Sequence, residues 1–170
     1  EIGTVQPITK ISRTILKWKK TQGKEERSYP YFHTDASQAP NYLNCDVNSL
    51  GIDMMTLDGS KIYGPKGIGC LVKKHYVKII PQMIGGGQEN GNRAGTENVP
   101  SIIGFVHALK KAVDMRETET ERLSALRDHL TTEILKNFKD STLNGSPEHR
   151  LPNNINICIP NMNAEFAVIQ

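Results

Sequence analysis

The stretch Asp53-Met54-Met55-Thr56-Leu57-Asp58-Gly59-Ser60-Lys61-Ile62-Tyr63-Gly64-Pro65-Lys66-Gly67-Ile68-Gly69-Cys70-Leu71-Val72 decides the fold. Its two ends, 53–57 and 68–72, suit short strands, and Gly59, Gly64, Pro65, Gly67 and Gly69 punctuate the turn between them. Upstream, Tyr29 to Thr34 is aromatic and β-branched and predicts another strand, ending at Asp35. Pro7, tolerated in a first helical turn, precedes Ile8, Ile11, Ile15 and Trp18 at three- and four-residue spacing, which predicts a helix to about Gly23. Downstream, Ile102, Ile103, Val106, Leu109 and Val113, then Leu123, Leu126, Leu130, Ile134 and Leu135, give a helical period from Val99 to about Asn137. A last strand is expected at 154–159. Strands alternating with helices predict an α/β fold with a mixed or mainly parallel sheet.

The chain has 170 residues, 37% hydrophobic and 23% charged, enough for one domain or for one and a piece of another. This composition excludes wholesale disorder and collagen-like repeats. No apolar run approaches the roughly 20 residues of a bilayer span. The net charge is +3, and Lys17, Lys19, Lys20, Lys24, Lys73, Lys74, Lys110 and Lys111 are scattered rather than gathered in one stripe. Without interleaved aromatic residues, that distribution argues against nucleic acid as a partner. Cys45, Cys70 and Cys158 are too few and too separated for a metal cluster or a disulfide framework. No metal is expected, the compartment reads as reducing and cytoplasmic, and each cysteine reads as a small core residue.

The charge-rich stretch 114–122 marks the expected boundary between a first domain, 1–113, and the beginning of a second, 114–170. The chain opens at Glu1 without a Met and closes in Asn163 to Gln170, a helix just starting, so a fragment of a longer protein is expected. Neither end has the pattern of a signal peptide.

Three clusters fall at strand ends or in glycine-rich loops, where open α/β sheets gather ligands: 35–38, 58–67 and 85–96. Gly59 and Gly64 have the gap of a phosphate loop, but Pro65 follows Gly64 where Lys is required, and the pattern fails. Gly85, Gly86 and Gly87, followed by Gly91 and Gly95, lack the spacing of a dinucleotide fingerprint. A lysine in a tight turn after a buried strand is expected to be partly desolvated, which frees its neutral amine to attack a carbonyl. Lys61 is that residue; the competing reading is a solvated turn lysine. Asp35, ending the preceding strand, favours the chemical reading, because a carboxylate beside a Schiff-base lysine holds the pyridinium nitrogen of pyridoxal phosphate. The competing role for Asp35 is a turn cap. Gln88 to Asn98 is polar and without period, and is expected to be ordered or ligand-held, with Arg93 and Thr96 suited to phosphate oxygens. A surface loop facing water is the alternative.

Four motifs in order, Glu1-Ile2-Gly3-Thr4-Val5-Gln6-Pro7-Ile8, His33-Thr34-Asp35-Ala36-Ser37-Gln38, Ser60-Lys61-Ile62-Tyr63-Gly64-Pro65-Lys66-Gly67-Ile68-Gly69 and Gly85-Gly86-Gly87-Gln88-Glu89-Asn90-Gly91-Asn92-Arg93-Ala94-Gly95-Thr96, resemble the cysteine desulfurases of the class V aminotransferase group. The similarity runs through most of the chain. It implies a fold-type I pyridoxal-phosphate transferase, with part of the large, mainly parallel-sheet domain and the start of a smaller α+β domain. It also implies release of alanine from L-cysteine, the sulfur passing as a persulfide toward iron–sulfur cluster or thio-cofactor assembly by way of an acceptor or scaffold protein. By this resemblance Lys61 holds the cofactor covalently and moves the substrate proton, Asp35 holds the ring nitrogen, and Gln38 bonds the phenolic oxygen. Ser60 contributes to phosphate binding, and Thr96 binds the phosphate in the neighbouring subunit of a homodimer. The resemblance starts just after an Asn that packs by the cofactor and stops before the loop bearing the persulfide-forming Cys, so the 170 residues alone are expected to be inactive.

Two departures stand out. The family's Ser-Gly-His-Lys run is here Asp58-Gly59-Ser60-Lys61. Ser60 can still donate a hydrogen bond, whereas Asp58 sets a carboxylate near a dianionic phosphate unless it turns away. None of the three cysteines stands in the family's catalytic loop. Two other readings stay open: another class V enzyme, such as a selenocysteine lyase, an aminotransferase or an epimerase, and a non-catalytic remnant of the fold, which Asp58 favours.

Overall fold

Alternation along Met54–Asp58 sends Met55 and Leu57 into the core and leaves Met54, Thr56 and Asp58 half-buried, which makes this run the central strand of a sheet. The computed structural model describes residues 2–165. In chain order it has α1 (Ile8–Thr21), β1 (His33–Asp35), α2 (Val47–Leu50), β2 (Met54–Asp58), β3 (Gly69–Lys73), α3 (Val99–Asn137), β4 (Thr142–Leu143) and β5 (Ile157–Cys158). β1 runs parallel to β2 on one side, with Asp35 opposite Thr56; β3 runs antiparallel on the other, with Asp58 opposite Gly69. The sheet is thus mixed. Its register brings the carboxyl ends of the two parallel strands, at Asp35 and Asp58, to one edge.

The residues Pro7–Arg116 form one compact unit, and the described residues of Glu1–Gln6 and Glu117–Gln170 form another. The division falls inside the charge-rich stretch, within a continuous α3. Residues 2–6 go with the later unit because Val5 N–H donates to His149 O at 2.8 Å, Leu151 N–H donates to Gly3 O at 2.8 Å, and Thr4 bridges Arg150. In that unit β4 and β5 pair antiparallel. The buried Arg150 guanidinium ties the segments together, donating to Ile2 O at 2.8 Å, to Ser146 O at 3.2 Å and to Asn144 O.

In the Pro7–Arg116 unit, Ala36, Ile52, Met55, Leu57, Ile62 and Phe105 form the core. Full burial of each large apolar side chain is worth about 1.5–3 kcal/mol; Phe105 is the buried residue that α3 gives this cluster, and Ala108 and Leu109 of the same helix pack against it. Among the described residues no helix is long and apolar enough to cross a membrane.

Several expectations need correction. β1 begins only at His33, not Tyr29, since Pro30 has no N–H for a ladder. The strand expected at 154–159 is confined to Ile157–Cys158, and its partner β4 was not expected. Cys158 is exposed rather than in a core, while Cys45 and Cys70 do pack against one. In α1, Trp18 is exposed under the Lys24 ammonium, and Lys19 is buried in its stead. Of the helix expected from Asn163, Ala164 and Glu165 are helical and the rest lies outside the described residues.

The turn after β2 is tight enough to test. A Cβ on Gly59 would lie 2.7 Å from Ile68 Cγ2 and 2.9 Å from Ile68 O. Gly59→Ala in the full-length protein is therefore expected to cost about 1–3 kcal/mol, the usual penalty for overpacking, read as a lowered denaturant midpoint. A midpoint equal to wild type would contradict this packing.

Candidate active site

Asp35 stands exposed at the end of β1, where its Oδ1 accepts the Ser37 N–H at 2.9 Å and the Ser37 hydroxyl at 2.5 Å. The hydroxyl above all, then the N–H, with a smaller pull from His33, hold its carboxyl below the ordinary value, while burial and Asp58 push weakly the other way. The carboxylate is ionised at neutral pH. His33, two residues earlier, shares a 2.8 Å hydrogen bond with Thr56 across the parallel pair. Gln38 is exposed and leads into a single 3-10 turn, Ala39–Asn41.

The matching turn follows β2. Asp58 Oδ1 accepts both the N–H and the hydroxyl of Ser60 at 2.7 Å, which lowers the Asp58 carboxyl, again through the hydroxyl first. Gly59 N–H donates to Ile68 O at 2.9 Å and Gly64 N–H to Gly59 O at 2.8 Å, closing the loop on itself. The 3-10 turn Ser60–Ile62 then drives Ile62 into the core and leaves Lys61 and Tyr63 exposed. Lys61 is thus a solvent-facing amine, not the partly desolvated one expected, because the turn's inward anchor is its neighbour.

Two residues that sequence reasoning missed join the turns. Asn41, buried, donates from Nδ2 to Lys61 O at 2.8 Å, and Arg116 of α3 donates from Nε to Pro40 O at 3.1 Å. They tie the turn after Gln38 to the backbone of Lys61. Pro40 next to Asn41 was the available signal, since a proline early in a helical turn marks where that turn begins.

The structure therefore brings Asp35, Gln38, Ser60 and Lys61 to the carboxyl edge of β1 and β2. Thr96 stands exposed on a separate loop. That loop is ordered by its own bonds: Gly95 N–H to Gln88 Oε1 at 3.2 Å, Ala94 N–H to Met83 O at 3.2 Å, and Arg93 to Ala94 O at 2.9 Å. It contains a 3-10 turn, Gln88–Gly91, in which Glu89 and Asn90 take left-handed conformations.

An ionised carboxylate and a primary amine at one edge suit a ring with a protonated nitrogen and a carbonyl substituent, so these residues fit pyridoxal phosphate at its ring end. At the phosphate end the expectation changes. The Ser60 hydroxyl donates its hydrogen bond to Asp58, and the Asp58 carboxylate is turned onto that serine.

The family model for aminotransferase class-V matches residues 1–168. The chain is 41% identical over 169 residues to the cysteine desulfurase IscS of Dictyoglomus turgidum, covering 99% of this chain and 40% of that protein. It is 40% identical to cysteine desulfurase IscS 1 of Archaeoglobus fulgidus, covering 99% and 41%. Among solved structures, a NifS-like protein from Rickettsia africae superposes with a TM-score of 0.86 at 32% identity, covering 99% of this chain and 44% of that one. A structure described as SspA in complex with cysteine gives a TM-score of 0.66 at 31% identity, covering 99% and 44%. The chain spans about 40% of the length of the curated relatives it matches.

Proposed function

We propose, because this chain belongs to the aminotransferase class-V family, that the whole protein is a pyridoxal-phosphate-dependent cysteine desulfurase. It takes sulfur from L-cysteine, releases alanine, and passes the sulfur as a persulfide to an acceptor or scaffold protein for iron–sulfur cluster or thio-cofactor assembly. The observation that carries the reading is the placement of Asp35 and Lys61 after neighbouring parallel strands, at one sheet edge. Relatives named cysteine desulfurase, and a similar structure described with cysteine, support the substrate.

When bound, the cofactor supplies an electron sink for the substrate's α-carbon. Asp35, kept ionised by Ser37, holds the ring nitrogen protonated. From its exposed turn Lys61 would hold the cofactor covalently and would move the proton at the substrate's α-carbon. Gln38 would bond the phenolic oxygen, and Ser60, whose hydroxyl here donates to Asp58, would serve the phosphate. Burial raises the thiols of Cys45 and Cys70, which makes them poor nucleophiles, and Cys158, though exposed, does not stand in the catalytic loop that the resemblance implies; this reading assigns the persulfide to another cysteine of the full-length protein. A cytoplasmic location goes with three unpaired thiols. The test is the full-length, cofactor-loaded protein given L-cysteine and a reductant: equal yields of alanine and sulfide are expected. Conversion of selenocysteine but not cysteine, or amino-group transfer without sulfide, would overturn the reading.

The same reading makes the enzyme a homodimer with Thr96 reaching the partner's phosphate. Ile80, Met83 and Ile84, on the segment leading into that loop, are 84%, 53% and 92% exposed, an apolar display that suits an interface. Mixing inactive Lys61→Ala chains with inactive Thr96→Ala chains is expected to restore activity, because one site of each heterodimer receives both defects and the other none. No recovery after confirmed subunit exchange would remove Thr96 from the partner's site.

A further inference from the structure

We propose that the Pro7–Arg116 unit carries a second binding site, for a small phosphate-bearing molecule, in the cleft between the later half of α1 and the strand ends opposite Asp35 and Lys61. The cleft has a volume of about 380 Å³, of the size that small-molecule pockets take. Phe32 and Asp53, at the amino ends of β1 and β2, line it together with Lys74–Tyr76, which follow β3. It lies at the opposite edge of the sheet from the candidate active site and rests on none of the roles proposed there.

Three cations line this cleft. Lys19 is only 2% exposed, and its ammonium, with three N–H groups, donates to Glu26 O at 2.8 Å. The Arg27 guanidinium lies 5.7 Å from the centre of the Tyr76 ring, and the Lys74 ammonium donates to the side-chain oxygen of Asn48. Among the described residues the ion pairs are Arg122–Glu119 and Arg127–Asp128, so none of the three cations is paired with a carboxylate. Two carboxylates do line the cleft, Glu26 and Asp53. Asp53, buried, commits Oδ2 to the Phe32 N–H at 2.7 Å and Oδ1 to the Tyr76 hydroxyl at 2.6 Å. His75 adds a further donor on the wall.

A buried ammonium without a counter-charge is unfavourable. Two ammonium groups and a planar guanidinium fork around one concavity match a dianionic phosphate better than a single carboxylate.

The test uses the full-length protein with its cofactor bound, so that the cofactor's own phosphate site is filled. Calorimetric titrations with inorganic phosphate, glycerol phosphate and succinate are made on wild type, on Arg27→Ala/Lys74→Ala and on Lys19→Met. Wild type is expected to bind phosphate or its ester more tightly than succinate, the tighter of the two identifying the source as free or esterified. The double variant is expected to bind about tenfold or more weakly, as when a charge partner is truncated, with the cofactor's absorption band unchanged. Absence of phosphate heat in wild type, equal affinity for succinate, or equal affinity in the double variant would overturn the site. Arg27 is exposed and Lys74 half-buried, so that variant keeps the test open even if Lys19→Met fails to fold.

Discussion

Lys61→Ala in the full-length protein is expected to lower alanine release from cysteine by about 10³-fold or more, within the range that loss of a positioned acid–base group produces and beyond it if the covalent link is lost as well. The turn gives the reason. Asp58 caps Ser60 at 2.7 Å, Ile62 anchors in the core, and Asn41 holds Lys61 O at 2.8 Å, so the backbone of this lysine is fixed while its amine faces outward. Lys66, exposed on the same loop, lies beyond Pro65 and has none of these ties in the described structure. Lys66→Ala is expected to keep most of the activity. Steady-state assays at matched cofactor occupancy decide it, and a Lys61→Ala enzyme retaining a tenth of wild-type turnover would take the residue out of this role.

Asp35→Ala is expected to have the next largest effect. Removing one partner of a buried ion pair costs about 3–5 kcal/mol. Asp35 is exposed among the described residues, so solvent screening favours the lower end, about 10²-fold in kcat/KM. Ser37→Ala acts through Asp35 and differs in kind. Its hydroxyl and N–H depress the Asp35 carboxyl; without the hydroxyl that carboxyl titrates at higher pH, and the acidic limb of the pH–rate profile moves upward while activity above it changes little. Equal losses for the two variants, with the profile unmoved, would separate Asp35 from the ring nitrogen.

The sequence reached β2, β3 and the end of α3 closely because their signals are local. The runs expected at 53–57 and 68–72 are found at Met54–Asp58 and Gly69–Lys73, and the long helical period ends where α3 ends, at Asn137. The parallel pairing of β1 with β2, which sets Asp35 and Lys61 at one edge, followed from strands alternating with helices. What stayed hidden depends on residues distant in the chain. Asn41 looks like an ordinary turn residue until Lys61 O is beside it, 20 positions on. Trp18 and Lys19 exchange their expected places because the Lys19 stem is apolar and its ammonium finds a carbonyl at Glu26, outside any helical period. The exposure of Lys61 likewise turns on which neighbour the 3-10 turn buries, and glycine spacing does not encode that.

The most direct measurement is borohydride reduction of the full-length protein as purified, followed by peptide mapping. One pyridoxyl adduct per chain is expected, on the peptide bearing Lys61, with loss of the cofactor's visible band. An adduct on Lys66 or another lysine, or no adduct in protein that binds the cofactor, would contradict it.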